Sequence, residues 1–372
     1  MAAAGVNSTV RYRSLDSYRF IAASLVVLLH FHGEFSLRLG ALAPIVNRLE
    51  VMVDFFFVLS GFVIAVTYGK AMANLGDYAR FLQRRVARLV PLHIAVLTAF
   101  VGLALANKFG WLHANHQDIL DFHALPANIL LLHAWGTVDH LSFNAGSWSI
   151  SAEWLVYLLF PVLLVLSRRS SLATSLAIVI GIVGALTLWR QAMGMSPWYE
   201  ATYDYGALRA LPSFFLGVIL ARLIESRSCS FRCPWPAVHL VFLLAVATLY
   251  FDLRDLTISL LALVVLLGAV AERGNKPSIV TSRLMGRLGD ASYAIYMIHG
   301  LPAIPLVFVL TKFGALGTQL AAVVAVATYL VVVLAACLIY SYFETPMRRR
   351  ISAIGTGAGT GRVSELTLQT AP

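Results

Sequence analysis

Ten stretches of mostly apolar residues, each closed by charged or turn-forming positions, run through the chain at roughly 16–34, 51–69, 89–107, 148–167, 171–189, 208–224, 236–252, 255–271, 289–311 and 318–340. A bilayer core of about 30 Å is crossed by about 20 such residues in a helix, so this pattern predicts an all-α, polytopic membrane protein of about ten transmembrane helices. The apolar stretch 125–135 (LPANILLLHAW) is too short to span and is expected to form a re-entrant or interfacial piece beside the fourth helix. Residues 1–15 read as a cytoplasmic N-terminal segment and 16–345 as the ten-helix membrane domain. Residues 346–372, rich in Gly, Thr and Ser after the first turns, read as a cytoplasmic tail.

Composition agrees with the pattern. Of 372 residues, 59% are hydrophobic and 12% charged, far from the balance of a soluble domain. The formal charge of +10 would suit a nucleic-acid binder, but its placement argues otherwise. With the N-terminus inside, twenty-one of the 28 Lys and Arg fall on the cytoplasmic side of the ten spans, which puts both termini there by the positive-inside rule. The basic excess is a topology signal, and no nucleic-acid partner is expected. The run after Arg19 reaches His30–Glu34 without a small-residue cleavage site, so it is expected to be retained as an anchor. Neither the three cysteines nor the loop residues His113, His116, Asp118, Asp121 and His123 match a metal-binding spacing, and no metal is expected.

Ionisable side chains inside spans are costly, so each needs a partner, an aqueous cavity or a task. Arg19 and His30 stand eleven residues apart on the first helix, which returns to within about 20° of one face, some 16 Å further along. Asp54, near the start of the second helix, falls at about the depth of His30. A pair between them would either tie two helices together or fix the imidazole tautomer and leave the other nitrogen as a base. Helix four opens with Ser147-Trp148-Ser149 and carries Glu153 four residues after Ser149, in what the count makes the same outer layer. Helix nine carries Ser292, Tyr296 and His299 as one polar stripe, with Tyr293 beside it. Arg84, Arg85 and Arg88 gather at the inner mouth of helix three, either as a snorkelling belt or as a cradle for phosphoryl groups.

Several ordered motifs resemble the acyltransferase 3 family of membrane-bound O-acyltransferases: LDSYRFIAASLVVLLHFH around Arg19 and His30, VDFFFVLSGFVI around Asp54, FLQRRVARLVPLH with Arg85-x-x-Arg88, SWSISAEWLVYLLFPVLL around Glu153, LRALPSFFLGVILA, ASYAIYMIHG around His299 and SYFETP. The resemblance implies transfer of an acyl group, usually acetyl from cytoplasmic acetyl-CoA, to a hydroxyl on the far side of a bacterial cytoplasmic (inner) membrane. The expected acceptor is a surface polysaccharide or lipid-linked glycan, with a secreted small molecule as the second choice. It maps His30, Arg19, Asp54 and the Arg85-x-x-Arg88 pair onto family motif positions, with Glu153 and His299 at motif positions of less settled role; together with the polar residues above, the expectation is His30, Asp54 and Glu153 as catalytic, Arg19, Arg85 and Arg88 as holding acyl-CoA, and Trp148, Ser149, Tyr296 and His299 as touching substrate. The esterase-like domain fused to some members is absent from the sequence, which leaves open a separate periplasmic partner. Intramembrane His, Asp, Glu and Arg would also serve a transporter or flippase for an acylated glycan or small molecule, although no internal repeat is visible.

Overall fold

A computed structural model describes residues 11–111, 121–226, 231–274, 277–302, 305–306 and 318–354. The described residues are helical, with no strand among them. The principal helices are α1 (Arg13–Glu34), α2 (Met52–Tyr68), α3 (Leu75–Lys108), α4 (Trp148–Arg169), α5 (Leu172–Ala192), α6 (Gly206–Glu225), α7 (Trp235–Thr248), α8 (Arg254–Gly274), α9 (Ser292–Ile298) and α10 (Thr318–Ile339). Eight helical segments among the described residues are long and apolar enough to cross a membrane. They coincide with eight of the ten expected spans. The seventh, Trp235–Phe251, is a shorter apolar helix whose start is set by Pro236. The ninth is described only in part, because much of 289–311 lies outside the described residues. The tail beyond 354, residues 1–10 and the loop bearing His113, His116 and Asp118 also lie outside them.

Helix α3 begins fourteen residues before the expected apolar boundary. Asn74 caps it and Asp77 closes a capping box, so its charged first turns (Asp77, Arg80, Arg84, Arg85, Arg88) and the apolar span form one continuous helix of 34 residues. Hydropathy marks where a helix enters lipid, whereas a cap marks where it starts. The segment 125–135 does not cross: a short helix, Leu125–Ile129, with Asn128 buried, gives way to irregular backbone in which Leu131, His133 and Ala134 are buried against protein.

Helices α2 and α6 form the most extensive pair and run parallel. Their approach depends on two glycines. A Cβ on Gly217 would fall 2.8 Å from the backbone nitrogen of Phe62 and closer still to the carbonyl oxygen of Val58. One on Gly61 would collide with the carbonyl of Phe214. Association of helices in lipid relies on close van der Waals packing, and small residues make it possible. At the start of the same pair, Arg209 of α6 lies against Asp54 of α2, Nη2 to Oδ2 at 2.6 Å, with both side chains fully buried.

Past α10 the helix widens into a π-helical turn, Tyr340–Glu344, before the basic helix Thr345–Ala353. Such turns displace side chains from the α-helical register, and here Glu344 is buried.

Candidate active site

Two cavities enter the bundle from opposite ends of α1. The first, about 350 Å³, opens at the N-terminal end of α1 and is lined by Arg11, Asp16, Arg19, Arg85, Arg88, Glu153 and the aromatic rings of Tyr157, Tyr293 and Tyr296. The second, about 330 Å³, lies toward the C-terminal end and is lined by His30, Glu50, Trp148, Glu200, Arg209, Arg254 and Tyr296. Val53 and Tyr296 border both. A thin partition of side chains therefore separates an arginine-rich chamber from one holding the α1 histidine.

In the first chamber the three expected arginines differ. Arg19 is tied to Asp16 at 3.2 Å. Arg85 donates to the hydroxyl of Tyr68 at 3.0 Å and packs against the rings of Tyr68, Phe81 and Tyr157, leaving its buried Nε without a partner. Among the described residues no carboxylate forms an ion pair with Arg85 or Arg88. Two guanidinium groups three residues apart on one helix, facing a cavity, have the chemistry to hold an anion. At the mouth, Arg11 bridges Asp16 at 2.8 Å and Asp290 at 2.7 Å.

Glu153 also belongs to this chamber, and the expected placement in one layer with His30 and Asp54 is corrected. It accepts from Ser60 Oγ at 2.7 Å and from the hydroxyl of Tyr157. Five residues separate it from Trp148, about 7–8 Å along the axis, which carries it past the partition. Ser149 remains at the partition, its hydroxyl 3.0 Å from that of Tyr296, and Tyr296 donates to the carbonyl of Gly146 at 2.9 Å.

The expected His30–Asp54 pair does not form. Asp54 is engaged by Nε and Nη2 of Arg209 and by Ser213, while Nδ1 of His30 lies 2.9 Å from Nε2 of His299 with the two rings stacked. Sequence counting places residues at a depth but leaves their azimuth open, and α6 supplies a cation at the depth of Asp54. Nδ1 of His299 in turn lies 2.6 Å from the carbonyl oxygen of Tyr296. His299 is buried and lines neither cavity, whereas half-buried His30 borders the second. Trp148 borders it too, with the guanidinium of Arg209 5.1 Å from its ring.

Sequence reasoning missed Arg209 and Arg254. Both sit at helix starts and count there as outward-flank charges, yet both are buried on the wall of the second cavity, where Arg254 pairs with Glu50 and Glu200 and, behind them, with Asp252. It also missed Tyr157, although its place four residues after Glu153 was a usable signal. Asp121 and His123 of the expected metal-free loop are described, and among the described residues no group of three or more His, Cys, Asp or Glu has the geometry of a metal site.

The chain is similar to several known proteins. Acyltransferase MdmB of Streptomyces mycarofaciens is 25% identical over 96% of this chain and 98% of its own length. Exopolysaccharide production protein ExoZ of Rhizobium meliloti (strain 1021) is 27% identical over 84% of this chain and 94% of its own. Protein 2 in the picA locus of Rhizobium radiobacter is 31% identical over 44% of this chain. No solved structure matches. The model of the acyltransferase 3 family, described as an acyltransferase domain, covers residues 12–342, and this multi-pass membrane protein therefore belongs to the acyltransferase 3 family and is an acyltransferase.

Proposed function

We propose that the protein moves an acyl group, in the first instance acetyl, from cytoplasmic acyl-CoA to a hydroxyl of a surface polysaccharide or lipid-linked glycan on the far side of a bacterial inner membrane. The observation that carries this reading is the pair of chambers meeting at Val53 and Tyr296, one lined by Arg85 and Arg88 and one by an imidazole. Arg85 and Arg88 bind the phosphates of coenzyme A by charge-assisted hydrogen bonds. The pantetheine arm lies along the first chamber and brings the thioester to the partition.

On the other side, the acceptor hydroxyl attacks the thioester carbonyl while His30 takes its proton. The new C–O ester bond forms, the C–S bond breaks, and the coenzyme A thiolate leaves and recovers a proton. General-base assistance of this kind contributes about 10²–10⁴ in rate. The positive-inside bias supports the chamber of α1's N-terminus as the cytoplasmic one. The exopolysaccharide production protein among the relatives supports a glycan acceptor.

Release of free coenzyme A from acetyl-CoA by detergent-purified protein tests this, comparing wild type with His30→Ala, with and without a crude surface-glycan extract. Acceptor-dependent release that disappears in the variant is the expected result. Coenzyme A that neither binds nor is consumed would remove the donor assignment.

A further inference from the structure

The proton positions in the histidine pair follow from the acceptors around it. The carbonyl of Tyr296 can only accept, so Nδ1 of His299, 2.6 Å away, carries a hydrogen. Among the described residues neither His299 nor His30 has a carboxylate within ion-pair distance, and a buried imidazolium without a counter-charge is strongly disfavoured. His299 is therefore neutral, with the lone pair on Nε2. That nitrogen faces Nδ1 of His30 at 2.9 Å, so His30 donates from Nδ1. The basic lone pair of His30 is left on Nε2.

Resting on the acyltransfer reading above, we infer that His299 is a positioning residue: a neutral imidazole that holds His30 as the Nδ1–H tautomer and presents Nε2 to the acceptor hydroxyl. Two further consequences follow. When Nε2 of His30 takes the acceptor's proton, the ring becomes an imidazolium and its Nδ1–H bond to His299 becomes charge-assisted, and so stronger in the transition state than before it. The chain also ends on Tyr296, whose ring forms the partition and whose carbonyl fixes His299. The same residue thus separates the chambers and sets the protonation pattern behind the base. A neutral imidazole takes the place of the carboxylate in a Ser-His-Asp arrangement, where loss of the correct tautomer lowers kcat by about 10⁴.

The test uses ¹⁵N-histidine-labelled full-length protein in detergent, with the His30 signals assigned by their loss in His30→Ala. His30 should appear as the Nδ1–H tautomer in wild type and in His299→Gln, whose amide oxygen keeps an acceptor in place. In His299→Leu it should shift to Nε2–H, and kcat for acceptor-dependent coenzyme A release should fall by about 10²-fold or more with little change in KM for acetyl-CoA. His299→Gln should recover most of the rate. An Nε2–H tautomer for His30 in wild type, or a full kcat in a folded His299→Leu, overturns the inference. If His299→Leu does not fold, the wild-type and His299→Gln spectra decide. The spectra do not depend on turnover: the expected tautomers in a protein that never consumes thioester would refute the acyltransfer chemistry and leave the positioning contact standing.

Discussion

Replacing Gly217 by Ala tests whether the α2–α6 seam is set by backbone contact. The added Cβ would meet the backbone nitrogen of Phe62 at 2.8 Å and the carbonyl carbon of Val58 at 3.0 Å, where no side chain is able to swing aside. Carbon atoms settle at about 3.5–4.0 Å, so the helices must part by about 1 Å. Overpacking of this kind costs about 1–3 kcal/mol, or roughly 5- to 150-fold in a folded-to-unfolded ratio at tenfold per 1.4 kcal/mol. The Asp54–Arg209 pair lies on the same two helices, so parting them also lengthens a buried ion pair. Detergent-solubilised membrane proteins commonly unfold irreversibly, and the suitable measure is the half-life of the monodisperse protein at fixed temperature. Gly217→Ala and Gly61→Ala should each shorten it severalfold. The double variant should lose less than the sum, because the seam is already open after the first change. An unchanged half-life for both single variants would refute the claim of backbone contact. By contrast Gly181→Ala on α5, with open space around its Cβ, should leave it unaltered.

Three further outcomes are expected. Asp54→Leu or Arg209→Met alone should destabilise by about 3–5 kcal/mol by stranding a buried charge, while the double change recovers most of it; thermal stability of the four proteins closes the cycle. Arg85→Gln and Arg88→Gln should each weaken coenzyme A binding by about 10- to 100-fold, the worth of a charge-assisted hydrogen bond, and calorimetric titration at two salt concentrations would show whether phosphate contacts are the cause. His133, outside the spans, has its pKa lowered to about 4 by burial and by the neighbouring His93. It is neutral in both states above about pH 6.5. Between that pH and about 4 only the unfolded chain takes up the proton, so stability falls with pH by about 3 kcal/mol and then levels off, a decline that His133→Gln should remove.

Much of this molecule was legible before its structure. Long apolar runs located the helices because lipid leaves a spanning backbone few alternatives, and the ionisable residues within them marked the site because burial is costly. What linear patterns lack is azimuth. His30, near the end of α1, and Asp54, near the start of α2, do lie at one depth, but each faces a different third element, His299 at the end of α9 and Arg209 on α6. Depth itself slipped for Glu153, since a helix that starts at the partition has crossed it one and a half turns later. Arg209 stood within a quoted motif, yet a cation at a helix start looks like a topology marker until its partner is seen.

The partition at Val53 and Tyr296 also bears on the membrane's electrical integrity. Polar chambers that reach inward from both ends of one helix would, if joined by water, offer protons and small ions a path down the transmembrane potential, worth about 2.3 kcal/mol per charge per 100 mV. A valine and a tyrosine whose hydroxyl is already engaged by Gly146 and Ser149 interrupt that path. The two residues that divide the chambers thus also keep a membrane-embedded acyltransferase from behaving as a channel.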